Sequence, residues 1–267
     1  MNTDKAPLSH PPLERKGSFD DFISTLMWAA ILAILIRSLF FEPFSIPSGS
    51  MKPTLQEGDF LFVNKWVYGY SRYSFPMGLG PIEHGTRLFG KVPERGDIIV
   101  FKLPTKPSID YIKRVIGLPG DEVQVIRGKL YVNGTNVPRT EIGTETNATP
   151  MGFPQSLTAY TENLPNGVSH TIFEQSDDGP LDNTEVYRVP EGHVFCMGDN
   201  RDNSQDSRVT ALVGFVPMEN IVGKAERIFF SVDGSDTQLW EIWKWPAAIR
   251  FDRIFMNLEP QHDVAAD

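Results

Sequence analysis

The 267-residue chain has a single cysteine, Cys196, so neither an internal disulfide nor a cysteine-rich zinc site can be built from it. Basic charge is also scarce. Against 34 Asp and Glu stand 25 Lys and Arg, for a net charge of −9, which offers no electrostatic footprint for a nucleic acid. Histidines number five, and no Gly-x-Ser-x-Gly elbow occurs. Glycine and proline, at 22 and 21, are too few for a collagenous or low-complexity chain, yet enough for short strands joined by turns. Long apolar runs are missing, with one exception.

That exception runs from Phe22 to Phe41, FISTLMWAAILAILIRSLFF, with Arg37 as its sole charge. A helix of about 20 residues spans the ~30 Å hydrocarbon core, and Arg37 stands close enough to the end for its side chain to reach the headgroups. A transmembrane helix is expected. A cleaved export signal is the competing reading; the tail at 1–21 and the lack of an Ala-x-Ala site after the run favour a retained anchor. Lys5, Arg15 and Lys16 precede the span and only Lys52 follows it closely, which puts the N-terminus in the cytoplasm.

Beyond the span, apolar runs and alternations bounded by turn residues predict strands in DFLFVNKW (59–66), GDIIVFKL (96–103), DYIKRVIG (110–117), EVQVI (122–126) and KLYVNG (129–134). Arg127-Gly128 and Asn133-Gly134 read as hairpin turns. The fold class is therefore mainly β. Two segments interrupt it, 67–91 and the polar 140–182, which read as long loops or as a second β lobe. Near the end, Trp240, Trp243 and Trp245 fall close together. They suit a tail helix packed on the core and an aromatic surface at the membrane interface equally.

Chemistry-bearing residues gather in three places. In EPFSIPSGSMKPTL (42–55), three prolines stiffen the backbone and Gly49 admits a close neighbour beside Ser50. Ser-Gly-Ser alone is a turn, so a nucleophilic Ser50 needs a base. His193, in VPEGHVFCMGDN, is the one histidine placed for that role, and an ordinary strand histidine is its plainer reading. Lys113 is the other choice. Alternation puts it with Tyr111 and Val115 on one strand face. A lysine near pKa 10.4 needs a shift of about 3 units to serve as a base at neutral pH, which burial among apolar groups supplies; an exposed lysine would gain no such shift. The third place is GDNRDNSQDSR (198–208). Its oxygen density invites a calcium loop, but it lacks the EF-hand glycine and carries Arg201 and Arg208. Internal hydrogen bonding fits better, with Ser204 free to bond a neighbouring base and Asp206 to pair with Arg208.

Together these blocks resemble the type I signal peptidases, membrane-anchored Ser-Lys proteases that remove signal peptides from exported proteins. IPSGSMKPTL (46–55) is similar to the nucleophile box, RGDIIVF (95–101) to the strand after it, DYIKRVIGLPGD (110–121) to the lysine box and GDNRDNSQDSR to the last box. The resemblance implies Ser50 as nucleophile, Lys113 as general base, and an oxyanion hole from the Ser50 N–H and the Ser48 hydroxyl. It implies Ser204 as the lysine-orienting residue, with Asp206 and Arg208 bracing the loop. Ile46, Pro47, Met51, Leu55 and Ile112 would line pockets for small side chains at substrate positions −1 and −3, and Asp110, Tyr111 and Ile112 would pair with the extended substrate. No cofactor or metal is implied.

The division expected is a cytoplasmic tail at 1–21, an anchor at 22–41, a catalytic β domain at 42–139 and 191–232, an inserted second β lobe at 140–190, and a Trp-rich tail at 233–267. Partners would be signal-peptide-bearing preproteins and membrane phospholipid. A monomer is expected, on the outer (periplasmic) face of the inner membrane, with Sec or Tat export machinery only as a neighbour. A repressor-type Ser-Lys autoprotease is opposed by the anchor and the acidic charge. A calcium-binding, membrane-tethered β module is the reading from a different class.

Overall fold

The computed structural model describes residues 19–75, 78, 80–148, 154–233 and 248–262; His10 and the Trp240, Trp243 and Trp245 group lie outside them. The chain divides into two compact units, one up to Ile36 and one from Arg37 onward. Helix α1 (Phe19–Leu39), most of it in the first unit, has exposed side chains from Phe19 to Arg37 and a stretch of mean hydropathy 2.0, long and apolar enough to cross a membrane. It starts before the apolar run and stops short of its end. Asp20 and Asp21 suit the positive end of the helix dipole, while Pro43 forces Glu42 into extended backbone, so Phe41 already belongs to a strand.

The second unit is built on a seven-stranded antiparallel sheet. Its first four strands in the chain are β1 (Phe41–Ser45), β2 (Asp59–Asn64), β3 (Ile98–Leu103) and β4 (Lys106–Gly117). A small second sheet takes β5 (Glu122–Ile126), β6 (Lys129–Val132) and β7 (Thr135–Asn136). A third takes β8 (Arg139–Ala148), β9 (Pro154–Asn163) and β10 (Val168–Glu174). Then β11 (Tyr187–Arg188) joins β5, β12 (His193–Met197) joins β4, and β13 (Val216–Pro217) joins β12. Last come β14 (Ile221–Ser231), between β2 and β3, and β15 (Gln261–His262), on β10.

The β3 run is apolar because both of its faces are covered. Ile98 and Val100 pack with Met51, Leu55, Leu61 and Val222; Ile99 and Phe101 pack with Tyr68, Val115, Val194 and Ile221. The Arg127-Gly128 and Asn133-Gly134 pairs turn the small sheet, with φ of 49° and 68° and of 53° and 73°, as the twist of a two-residue hairpin requires. Of the interrupting segments, 67–91 contains short 3-10 turns and a lone Tyr70–Leu88 bridge. The polar 140–182 segment carries most of the third sheet, which β15 completes from far along the chain.

Among the contacts that hold segment 248–262, one buried carboxylate gathers several donors. Asp59, wholly buried, accepts from Arg253 Nε at 3.0 Å and Nη2 at 2.6 Å, from Ser231 Oγ at 2.7 Å and from the Gln56 N–H at 2.8 Å. Removing it strands a buried guanidinium, a change that costs about 3–5 kcal/mol. Asp59→Ala is expected to lower the free energy of denaturant unfolding by that amount, and Asp59→Asn by less.

Candidate active site

Ser50 sits in a 3-10 turn, Gly49–Met51, entered through extended Ser48. The turn is held from across the molecule: the Asn200 N–H donates to the Ser50 carbonyl at 3.1 Å, and Asn200 Nδ2 donates to the Gly49 carbonyl at 3.0 Å. Lys113 approaches from β4. Its Nζ lies 2.7 Å from Ser50 Oγ and 2.8 Å from the Ile112 carbonyl. Only 3% of Lys113 is exposed, and this desolvation pushes the ammonium down to about 8, while the charges of Asp206 and Asp199 oppose the fall. The Tyr111 ring, with its centroid 5.4 Å from Nζ, also favours the charged form. A lysine so placed loses its proton within the range where a serine hydroxyl needs a base.

A cleft of about 600 Å³ opens over this pair, lined by Pro47, Ser48, Ser50, Ile109–Lys113 and Asp202–Gln205. Ser48 Oγ stands 3.4 Å from Ser50 Oγ at the exposed rim. No lining residue is a histidine, and His193 directs Nδ1 to the Glu191 carbonyl at 3.0 Å. One side of β4 pairs with β3 from Lys106 to Arg114; the other side meets β12 only from Arg114 to Gly117. The edge at Asp110, Tyr111 and Ile112 is left open toward the cleft, ready to accept an added strand. Asp110 is paired outward with Lys102 Nζ at 2.8 Å.

Of the pocket residues read from the sequence, Pro47 and Ile112 reach the cleft. Ile46, Met51 and Leu55 are buried in the core cluster behind it. Asp206 and Arg208 form a buried two-bond pair, both bonds at 2.9 Å. Burial would raise Asp206, but the charge and hydrogen bonds of Arg208 hold it below its ordinary value. Ser204 reaches the cleft, yet its buried hydroxyl makes no hydrogen bond to Lys113; the Ile112 carbonyl serves the amine instead.

The structure adds residues that the motifs alone did not mark. Arg114 donates from Nε to Asp199 Oδ1 at 2.8 Å and from Nη2 to Asp199 Oδ2 at 2.7 Å, across 85 positions of chain. Thr54 completes that group through Asp199. Arg201 forks onto Glu162 of β9. Beside that pair His170 is held well below the imidazole range, first by burial and then by Arg114 and Arg201. The signal available beforehand was one of charge: arginines and aspartates at this density in a buried loop demand partners.

A serine hydroxyl touching a buried amine beside an open strand edge is the arrangement of serine peptidases in which lysine takes the place of histidine. The sequence comparisons agree. The family described as "Signal peptidase, peptidase S26" matches residues 19–230, and the chain belongs to it; it is a serine endopeptidase. Signal peptidase I of Rickettsia akari is 42% identical over 242 residues, covering 85% of this chain and 88% of that protein. The Rickettsia prowazekii signal peptidase I is 38% identical over 272 residues, covering 97% and 98%. A crystal structure of a signal peptidase I from Enterococcus faecalis is 29% identical and covers 50% of this chain and 97% of that one, at a TM-score of 0.30.

Gly198 is where the last box crosses the serine turn. A Cβ there would fall 2.2 Å from Ser204 Oγ and 2.5 Å from the Ser50 carbonyl oxygen. Gly198→Ala is expected to lower kcat for preprotein cleavage by about 100-fold, as misplacement of a reacting group by about 1 Å does, with a much smaller effect on the melting temperature.

Proposed function

We propose that this chain removes signal peptides from exported preproteins, with Ser50 as nucleophile and Lys113 as general base. The 2.7 Å contact between Lys113 Nζ and Ser50 Oγ, in surroundings that lower the lysine to about 8, carries the assignment. Neutral Lys113 takes the hydroxyl proton as Ser50 Oγ attacks the scissile carbonyl, then gives it to the departing amine, leaving an acyl-enzyme. Water, deprotonated in turn by Lys113, releases the signal peptide and restores the serine. The Ser50 N–H and the Ser48 hydroxyl stabilise the oxyanion.

The substrate adds as a strand along Asp110, Tyr111 and Ile112. Pro47 and Ile112 bound its side-chain pockets, while Ile46, Met51 and Leu55 set pocket depth from behind, so small residues at −1 and −3 are preferred. Asp206 and Arg208 brace the loop, and Ser204 lines the cleft wall over the lysine.

The same reading makes α1 a single-pass anchor in the inner membrane, N-terminus cytoplasmic and the β unit, acting as a monomer, on the outer (periplasmic) face. Exposed Phe41 and Phe62, which meet edge to face on β1 and β2, support contact with phospholipid, and Phe62 stacks on the half-buried Phe229. Sec or Tat machinery is a neighbour that delivers substrate. The catalytic domain is assigned to 42–139 and 191–232, with 140–190 as the inserted lobe.

Ser50→Ala and Lys113→Ala, in detergent with a preprotein substrate, are each expected to lose at least about 1,000-fold in kcat/KM; wild-type turnover by either refutes the assignment. The neutral amine is the active form, so the rate is predicted to rise about tenfold per pH unit below 8 and to level off above it. A rate that stays flat from about pH 6 to 9 with chemistry limiting excludes Lys113 as the base.

A further inference from the structure

Beside the wall of the serine cleft, Glu174 at the end of β10, Asp182 in the loop before β11, and Asp202 of the last box converge so that one oxygen from each lies within 4.8 Å of the others. We infer that these three carboxylates form a binding site for a hard divalent cation, Ca²⁺ in the first instance. Ca²⁺ takes oxygen ligands at about 2.3–2.6 Å, so ligands on opposite sides of one ion stand about 4.6–5.2 Å apart. The spacing fits.

Independent of the spacing is the state of the oxygens. Glu174 is 3% exposed and Asp182 is 1% exposed, yet Glu174 Oε2 and Asp182 Oδ1 have no hydrogen-bond donor. A buried carboxylate oxygen without a donor is costly and rare, and two of them stand in this one acidic cluster. The arginines nearby make their shorter bonds to other carboxylates. Arg139 reaches Glu174 only at 3.4 Å and is drawn to Asp177 at 2.6 Å. Arg201 serves Glu162 and Arg208 serves Asp206.

The remaining oxygens are pre-oriented. The Gly179 N–H holds Asp182 Oδ2 at 2.6 Å, and the N–H groups of Gln175 and Ser176 hold Asp202 Oδ2 at 2.7 and 3.0 Å. Gly179 itself leaves the space open: a Cβ there would come within 2.8 Å of Asp202 Oδ1 and 3.0 Å of Asp182 Oδ2. A twelve-residue pattern centred on 198–208 cannot reveal this cluster, since only Asp202 comes from that loop. An ion here would tie the chain after β10 to the loop that lines the serine cleft.

The test uses the full chain in detergent, stripped with EDTA, and needs no substrate, so its outcome is separate from the roles of Ser50 and Lys113. Isothermal titration with CaCl₂ is expected to give one ion per chain with a Kd of about 0.1–1 mM. At a tenfold excess over Kd the melting temperature is expected to rise by about 3–5 °C. Glu174→Gln and Asp182→Asn, which keep shape and remove charge, should abolish both effects. In EDTA each should melt no lower than the wild type, because like-charge repulsion is relieved. No Ca²⁺ response in the wild type, an undiminished response in both variants, or variants that melt below the wild type in EDTA would each overturn the site.

Discussion

The site depends on keeping Lys113 dry without giving it a carboxylate. A buried ammonium that touched an Asp would be held charged and could accept no proton. Here the amine contacts a serine hydroxyl and a peptide carbonyl, so desolvation is opposed only at longer range. Asp206 and Asp199 raise the lysine's proton affinity from there, and each is itself bound in two-bond fashion by an arginine, Arg208 and Arg114. The arginines discharge the field that the aspartates would otherwise direct at Nζ. Arg208 even contributes directly to lowering Lys113.

That accounts for so many buried ions around one neutral-serving amine. Burying ion pairs is weak support for stability, because desolvation consumes most of the attraction; it is a strong way to fix geometry, since bidentate pairs tolerate little rotation. Arg114 follows Lys113 on β4, and alternation sends the two side chains to opposite faces. One strand thus brings Lys113 to Ser50 and, on its other face, clamps the last box through Asp199. The last box in turn grips the serine turn through Asn200. Serine, lysine and loop are therefore positioned by one closed circuit of contacts.

The legibility of this arrangement was uneven for physical reasons. Strands such as β3 and β5 were plain in the sequence because apolar runs and alternation between turn residues are local signals, and the Arg127-Gly128 and Asn133-Gly134 turns needed only their own backbone angles. The third sheet was ambiguous: β8 and β9 are rich in Thr, Glu and Asn, and much of β8 is exposed on both faces, so burial imposes little alternation on it. Lys113 could be named as a base, but its burial depends on β12 and the last box, far along the chain. The Arg114–Asp199 and Arg201–Glu162 pairs were invisible for the same reason, and Met51 and Leu55 could be assigned to the neighbourhood of the cleft but not to the core behind it.

The open edge of β4 and the loop over the serine have a single origin. Strand β12 follows β4 from Gly117 back to Arg114, with its register shifting between Phe195 and Cys196. Beyond Met197 it leaves the sheet at Gly198, the position where no side chain fits between Ser204 and the Ser50 carbonyl. Had β12 continued, its backbone would have occupied the edge at Asp110, Tyr111 and Ile112 and completed the sheet. By turning away there it leaves donors and acceptors unpaired, which an extended peptide can satisfy. The departing chain folds over as the wall that dries Lys113. A folded protein offers no free strand to that edge, whereas an unstructured segment next to an apolar signal does, so on the proposed reading the missing sheet partner is itself a filter for substrate.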